Sequence, residues 1–168
     1  MTYARLAALL PVSVLVAQGS YFPALIVFGA AALSDAVDGP VARARNQASD
    51  RGGWLDPFAD KVLVVGVLAA LAIRGLVPPW ALLAVVAREV AALGLRARSP
   101  RSLPATADGK AKTVLQALAI AATLLAAGAG SDEIAAVAAA LLIAAVALTL
   151  VSGVRLMHRA FQTAPDAR

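Results

Sequence analysis

Long apolar blocks alternate with short polar or Gly/Pro-bearing breaks along the whole chain. Six blocks stand out, over residues 3–17, 22–45, 53–73, 79–95, 110–127 and 132–157. Most approach the roughly 20 residues that carry an α-helix across a hydrocarbon core at about 1.5 Å per residue. The pattern predicts an all-α integral membrane protein. Six transmembrane helices form one bundle, and residues 1–168 make a single domain. The breaks carry helix signals of their own. Ser131-Asp132-Glu133 reads as an N-terminus, where a hydroxyl caps and acids meet the positive end of the macrodipole. Pro78-Pro79 reads as a turn followed by a helix start. Abundant Ala and Gly suit close helix packing in lipid. The apolar pattern continues past the first block without a cleavage-type boundary, so no secretory signal is expected.

Charge is sparse and unevenly placed. Only 15% of the 168 residues are charged, against about a quarter in ordinary soluble domains. The net charge of +5 comes mainly from alternate joints. Arg43, Arg45 and Arg51 lie between the second and third blocks, and Arg96, Arg98, Arg101 and Lys110 between the fourth and fifth. Arg155, Arg159 and Arg168 occupy the tail, and Arg5 begins the first block. The opposite joints hold only Arg74. Such asymmetry predicts that both termini and the 2–3 and 4–5 loops are cytoplasmic, in an inner (plasma) membrane. It explains the basic balance through topology and leaves nucleic acid out. With no cysteine, disulfides and thiolate metal sites are excluded. The lone His158 sits in the basic tail, as a headgroup-level residue would.

Four aspartates break this economy. Asp35 and Asp38 are three apart on the second predicted helix, and Asp56 and Asp60 are four apart on the third. Each pair therefore shares a helix face. A short connection makes these helices expected antiparallel neighbours whose carboxylates converge at the cytoplasmic end. Intramembrane carboxylates are expensive, and four together repel. Hard divalent cations relieve that repulsion through oxygen ligands, which favours Mg²⁺ or Mn²⁺, as two ions, over zinc. Gly39 and Ala42 open a slot on the acidic face, Arg43 can fork onto a phosphate, and Gly52 lies on the line of Asp56 and Asp60.

Written as a pattern, this is D-x-x-D-G-x-x-A-R, eight residues, then G-x-x-x-D-x-x-x-D. It resembles the signature of the CDP-alcohol phosphotransferase family at every fixed position, and the six-helix plan extends the likeness to nearly the whole chain. The resemblance implies transfer of a phosphoalcohol group from a CDP-linked donor to a hydroxyl, with CMP released, by divalent-metal-dependent homodimers. Carried over by position, Asp35, Asp38 and Asp56 would hold metal with Asp60 close enough to contribute. Asp60 would also be the general base. Asp38, Gly39, Ala42, Arg43 and Gly52 would line the CDP site.

Three further stretches, "TYARLAALLPV", "DPFADKV" and "AREV" with "LRAR" and "DGKAKT", resemble bacterial phosphatidylglycerophosphate synthases of that family. This implies CDP-diacylglycerol as donor and glycerol 3-phosphate as acceptor, with Arg88, Lys110 and Lys112 as candidate acceptor-phosphate contacts. Arg88 adjoins Glu89 and can equally serve an ion pair between helices. "DGKAKT" is no P-loop, because Pro104 replaces the required earlier glycine. Cardiolipin synthases of the same family share parts of these stretches, so a cardiolipin-forming relative is an alternative, as is a phosphatidylinositol-phosphate-forming one. Outside the family, a divalent metal transporter or a polar network joining helices would also use buried acids, but neither accounts for Arg43 and the two glycines. Two departures stand out: Pro40 follows Asp38-Gly39 and should bend or loosen the second helix, and the first block lacks the family's amphipathic lead-in.

Overall fold

The computed structural model contains α1 (Thr2–Ala17), α2 (Tyr21–Ala44), α3 (Asp56–Ile73), α4 (Pro79–Arg98), α5 (Ala107–Ala129) and α6 (Asp132–Gln162), with no strand among the described residues. The structure describes residues 2–44, 56–98 and 107–162, with side chains over 7–34, 61–95 and 111–158. Each predicted block coincides with a helix. The last three helices run several residues beyond their blocks, because backbone hydrogen bonding continues past the point where hydropathy falls. α2 likewise continues through Pro40 to Ala44, so the proline does not end it.

The odd–even helix pairs are hairpins with one capping device. Gly19, Gly75 and Gly130 take positive φ values of 76°, 71° and 61°, a left-handed conformation that glycine adopts without steric cost. The next amide in each turn bonds back across the helix end: Ser20 N to Leu15 O at 2.8 Å, Leu76 N to Leu71 O at 2.9 Å, and Ser131 N to Ala126 O at 3.3 Å. Pro79 opens α4, and Ser131 Oγ accepts from Ile134 N at 3.4 Å to cap α6, as the sequence implied. The three turns therefore share one end of the bundle, and the 2–3 and 4–5 connections leave from the other. At the turn end Arg74 Nη2 donates to Tyr21 OH at 3.4 Å, stitching the first two hairpins together.

The core is a seam of small and branched residues. Val12 and Val16 of α1, Phe28 of α2, Val67 and Leu71 of α3, Val85 of α4, and Ile120 and Leu124 of α5 are almost wholly buried. Both α2 and α3 pack on α1 and on α5, while α6 covers α4 and α5. No α2–α3 packing occurs over the described residues; the aspartate-bearing ends, where these helices are expected to be neighbours, lie outside the described side chains. α1 packs on both instead: its Leu9 fills the space a side chain at Gly66 of α3 would occupy.

The outward faces are apolar on every helix. Leu10 (73% exposed), Ile26 (71%), Ile73 (85%) and Leu83 (65%) are examples on α1 to α4, and Val114 and Ile143 continue the pattern on α5 and α6. So many large apolar side chains facing outward suit a surface that meets lipid or a partner. Among the described residues, two helical stretches, Ala111–Ala129 and Asp132–His158, are long and apolar enough to cross a membrane. Ala7–Ala17, Tyr21–Ser34 and Lys61–Ile73 form shorter apolar stretches.

Candidate active site

The helical backbone sets the levels of the four aspartates. α2 begins at Tyr21 beside the first turn, and Asp35 and Asp38 lie in its distal half. α3 ends at Ile73 beside the second turn, and Asp56 and Asp60 lie in its opening turns at the far end. At about 1.5 Å per residue, Asp35 and Asp60 stand about 20 Å from the turns, and Asp38 and Asp56 about 26 Å. The helix backbone thus puts two acids on each helix at matched depths; whether their carboxylates meet lies outside the described side chains. Gly39, Ala42 and Arg43 follow on α2. The side chains of these α2 and α3 residues lie outside those described, as does that of Lys110 on α5. Gly52 lies wholly outside the described residues.

Beside this level sits a buried ionic cluster that local sequence alone could not assemble. Glu89 of α4 is 8% exposed and faces cations from α3, α4 and α5. Its Oε1 accepts from Arg88 Nη1 at 2.8 Å and from Lys112 Nζ. Its Oε2 lies 2.8 Å from Lys61 Nζ, an ion pair without hydrogen-bond alignment. These four side chains carry a surplus of two positive charges. Arg88 Nε is buried without a hydrogen-bond partner among the described residues, so the cluster is incompletely satisfied from its own members. A small recess adjoins it, bordered by Lys61, Val64, Val85, Glu89, Thr113 and Gln116. Gln116 Nε2 donates to Thr149 Oγ1 at 2.9 Å, and Thr149 donates to Ala145 O, which ties α5 to α6 behind the recess.

Two of the three residues expected to meet an acceptor phosphate, Arg88 and Lys112, are therefore gathered at one point. Lys61 and Thr149 were not singled out by sequence. The available signal for Lys61 was its place directly after Asp60, where a lysine at the start of an apolar block requires a partner.

Close packing supports Arg88. A Cβ at Gly153 of α6 would stand 3.1 Å from Arg88 Cγ. Gly153→Val is expected to lose about 1–3 kcal/mol by overpacking against Arg88, read as a shift in denaturant-driven unfolding in micelles. Gly94→Ala, whose added Cβ meets nothing within 4 Å, should unfold like the parent. A larger cleft of about 280 Å³ lies at the opposite, turn end, among Leu76, Thr123, Ser131, Asp132 and Leu142. It gathers no comparable set of charges among the described residues.

Comparison with known proteins places the chain in a family. The CDP-alcohol phosphatidyltransferase profile matches residues 1–151. A Mycobacterium tuberculosis protein named "Probable phosphatidylglycerophosphate synthase" is 35% identical over 138 residues, covering 81% of this chain and 65% of the relative. A Bacillus subtilis protein named "CDP-diacylglycerol--glycerol-3-phosphate 3-phosphatidyltransferase" is 40% identical over 103 residues, 60% of this chain and 53% of the relative. A Streptomyces coelicolor "Cardiolipin synthase (CMP-forming)" is 41% identical over 66 residues, 39% of this chain and 31% of the relative. The matched region thus spans less than two thirds of each of these relatives. Its apolar outer faces and spanning-length helices fit the membrane-embedded character of the matched family. The chain belongs to the CDP-alcohol phosphatidyltransferase family.

Proposed function

We propose that this protein transfers the phosphatidyl group of CDP-diacylglycerol to glycerol 3-phosphate, releasing CMP and forming phosphatidylglycerophosphate. All six helices would lie in the bilayer of the inner (plasma) membrane, with the aspartate end and both termini on the cytoplasmic side, in a homodimer. The bilayer would keep the donor's acyl chains while its CDP head enters between the helix ends.

The observation that carries the acceptor assignment is the surplus of two positive charges around Glu89. A phosphate monoester bears about −1.5 to −2 at neutral pH, which balances that surplus. A phosphodiester acceptor such as phosphatidylglycerol brings one negative charge and leaves the cluster under-neutralised. Arg88 and Lys112, with Lys110 shortly before it on α5, are the proposed contacts to the acceptor phosphate.

In the reaction, Asp60 takes the proton from the acceptor's primary hydroxyl. The hydroxyl oxygen then forms a bond to the phosphorus that carries diacylglycerol. The bond from that phosphorus to the bridging oxygen of the diphosphate breaks, and its electron pair leaves with CMP. Asp35, Asp38, Asp56 and Asp60 would hold Mg²⁺ or Mn²⁺, which when bound neutralises the diphosphate. Gly39, Ala42 and Gly52 leave room for the nucleotide, Asp38 adjoins it, and Arg43 forks onto a phosphate.

The test is CMP release by the purified chain with CDP-diacylglycerol and Mg²⁺ or Mn²⁺, offering each acceptor singly. CMP with glycerol 3-phosphate and not with phosphatidylglycerol is expected; CMP with inositol 1-phosphate alone would keep the monoester argument and overturn the choice of glycerol 3-phosphate. CMP with phosphatidylglycerol alone would retain the chemistry and overturn the charge argument for the acceptor. Divalent-metal binding without CMP from any acceptor would overturn the enzyme reading in favour of metal transport.

A further inference from the structure

Glu89 pairs with cations from α3, α4 and α5, and the transfer proposed above gives it neither a proton to take nor an anion to bind. Arginine and lysine bind a phosphate, and a carboxylate among them weakens that attraction. Its presence therefore calls for another role. α3 and α4 are tied at one end by the turn over residues 74–78. α3 runs from Lys61 to its end at Ile73, and α4 runs from Pro79 to Glu89, so the two residues stand at similar depths on adjoining helices. Their ion pair joins the two helices about 15–18 Å from that turn, on the way to the aspartate level. Lys61 directly follows Asp60, and neighbouring residues on an α-helix are about 100° apart. Fixing Lys61 against α4 therefore fixes the rotation of the α3 edge that carries Asp56 and Asp60. The same carboxylate holds Lys112, and thus the start of α5.

We infer that Glu89 is a positioning residue: through Lys61 and Lys112 it sets the rotation and separation of α3, α4 and α5, so that the Asp56/Asp60 edge meets the cationic pocket. This rests on the phosphatidyl-transfer reading above for its catalytic consequence, but its structural content stands separately. The two lysines have long flexible stems and reach a carboxylate from several backbone settings. The charge at position 89 therefore matters more than its distance from the helix axis.

Because the chain has no cysteine, Val62→Cys and Val90→Cys create the only two thiols. Spin labels there report the α3–α4 separation at the site end, in the folded protein in nanodiscs. Diluted into excess unlabelled protein, so that a dimer carries one labelled copy, the labelled parent should give one narrow distance distribution. Glu89→Gln, which keeps the shape and removes the charge, should broaden it, and Glu89→Asp should keep it narrow. In the unlabelled protein, Glu89→Gln should lower kcat by about 10- to 100-fold with KM for CDP-diacylglycerol unchanged, and Glu89→Asp should recover most of the rate. A purely structural adhesive would instead lower the active fraction, with kcat per folded molecule preserved. If Glu89→Gln does not fold, the paired change Glu89→Gln with Lys112→Gln keeps the surplus at two positive charges and removes the clamp, so it should show the same broadening. An unchanged distribution in the folded charge-free variants overturns the inference. A parent that binds metal but releases no CMP overturns the transferase reading, while the distances still decide the clamp.

Discussion

Asp60→Asn is expected to lower CMP formation by about 10²- to 10⁴-fold, the usual contribution of a positioned general base. The amide is nearly isosteric with the carboxylate, and Asp35, Asp38 and Asp56 remain, so the loss should fall on kcat while Mn²⁺ still binds. The depth of Asp60 gives this expectation its physical basis. It stands about 20 Å from the turn end by helix rise, level with Asp35 and directly before Lys61. The proposed base would therefore act one residue before Lys61, a member of the cationic cluster. Single-turnover CMP release, measured beside Mn²⁺ binding, checks it. A variant that kept more than half of the parent rate would place the base elsewhere, whereas joint loss of rate and metal binding would make Asp60 chiefly a ligand.

The second large effect concerns stability. Glu89→Leu is expected to cost about 3–5 kcal/mol, because it leaves Lys61, Arg88 and Lys112 without their shared buried carboxylate. Breaking one side of a buried pair costs more than removing both, since the remaining charge keeps its desolvation penalty and loses its partner. Glu89→Leu combined with Lys112→Met should therefore be more stable than Glu89→Leu alone. Denaturant-driven unfolding in mixed micelles orders the three proteins. A double variant less stable than the single would mean that Lys112 contributes through something other than Glu89. The comparison also separates two senses of importance: Glu89→Gln tests how the helices are set, and Glu89→Leu tests what holds them together.

Much of this was written locally. Lipid offers no hydrogen bonds to backbone groups, so apolar residues gather in helical blocks. The six blocks coincide with six helices, and among the described residues two stretches, Ala111–Ala129 and Asp132–His158, are long and apolar enough to cross a membrane. Gly19, Gly75 and Gly130 ended helices because these helix C-termini need a left-handed residue. Ser131 and Pro79 began them for reasons equally confined to a few neighbouring residues. The aspartate spacing was legible too, since steps of three and four along a helix define a face without any knowledge of the rest of the fold.

The neighbours of those faces were not legible. Chain order suggested that α2 meets α3 at the aspartate ends, which lie outside the described side chains; toward the turn end it could not say what fills the space between them. Leu9 against Gly66, with Val12 and Val16 buried, gives that place to α1 over the described residues. Glu89 could be recognised as costly inside an apolar helix, but its partners Lys61 and Lys112 belong to other helices, far from it along the chain. Which cations meet it depends on how three helices are rotated about their axes, and many side-chain contacts across the bundle set that rotation jointly. The sequence by itself determined the helices, the breaks between them and the acids they carry, because those follow from local hydrogen bonding and spacing. Only the tertiary structure decided that one carboxylate gathers three cations, because that arrangement exists only when α3, α4 and α5 are packed.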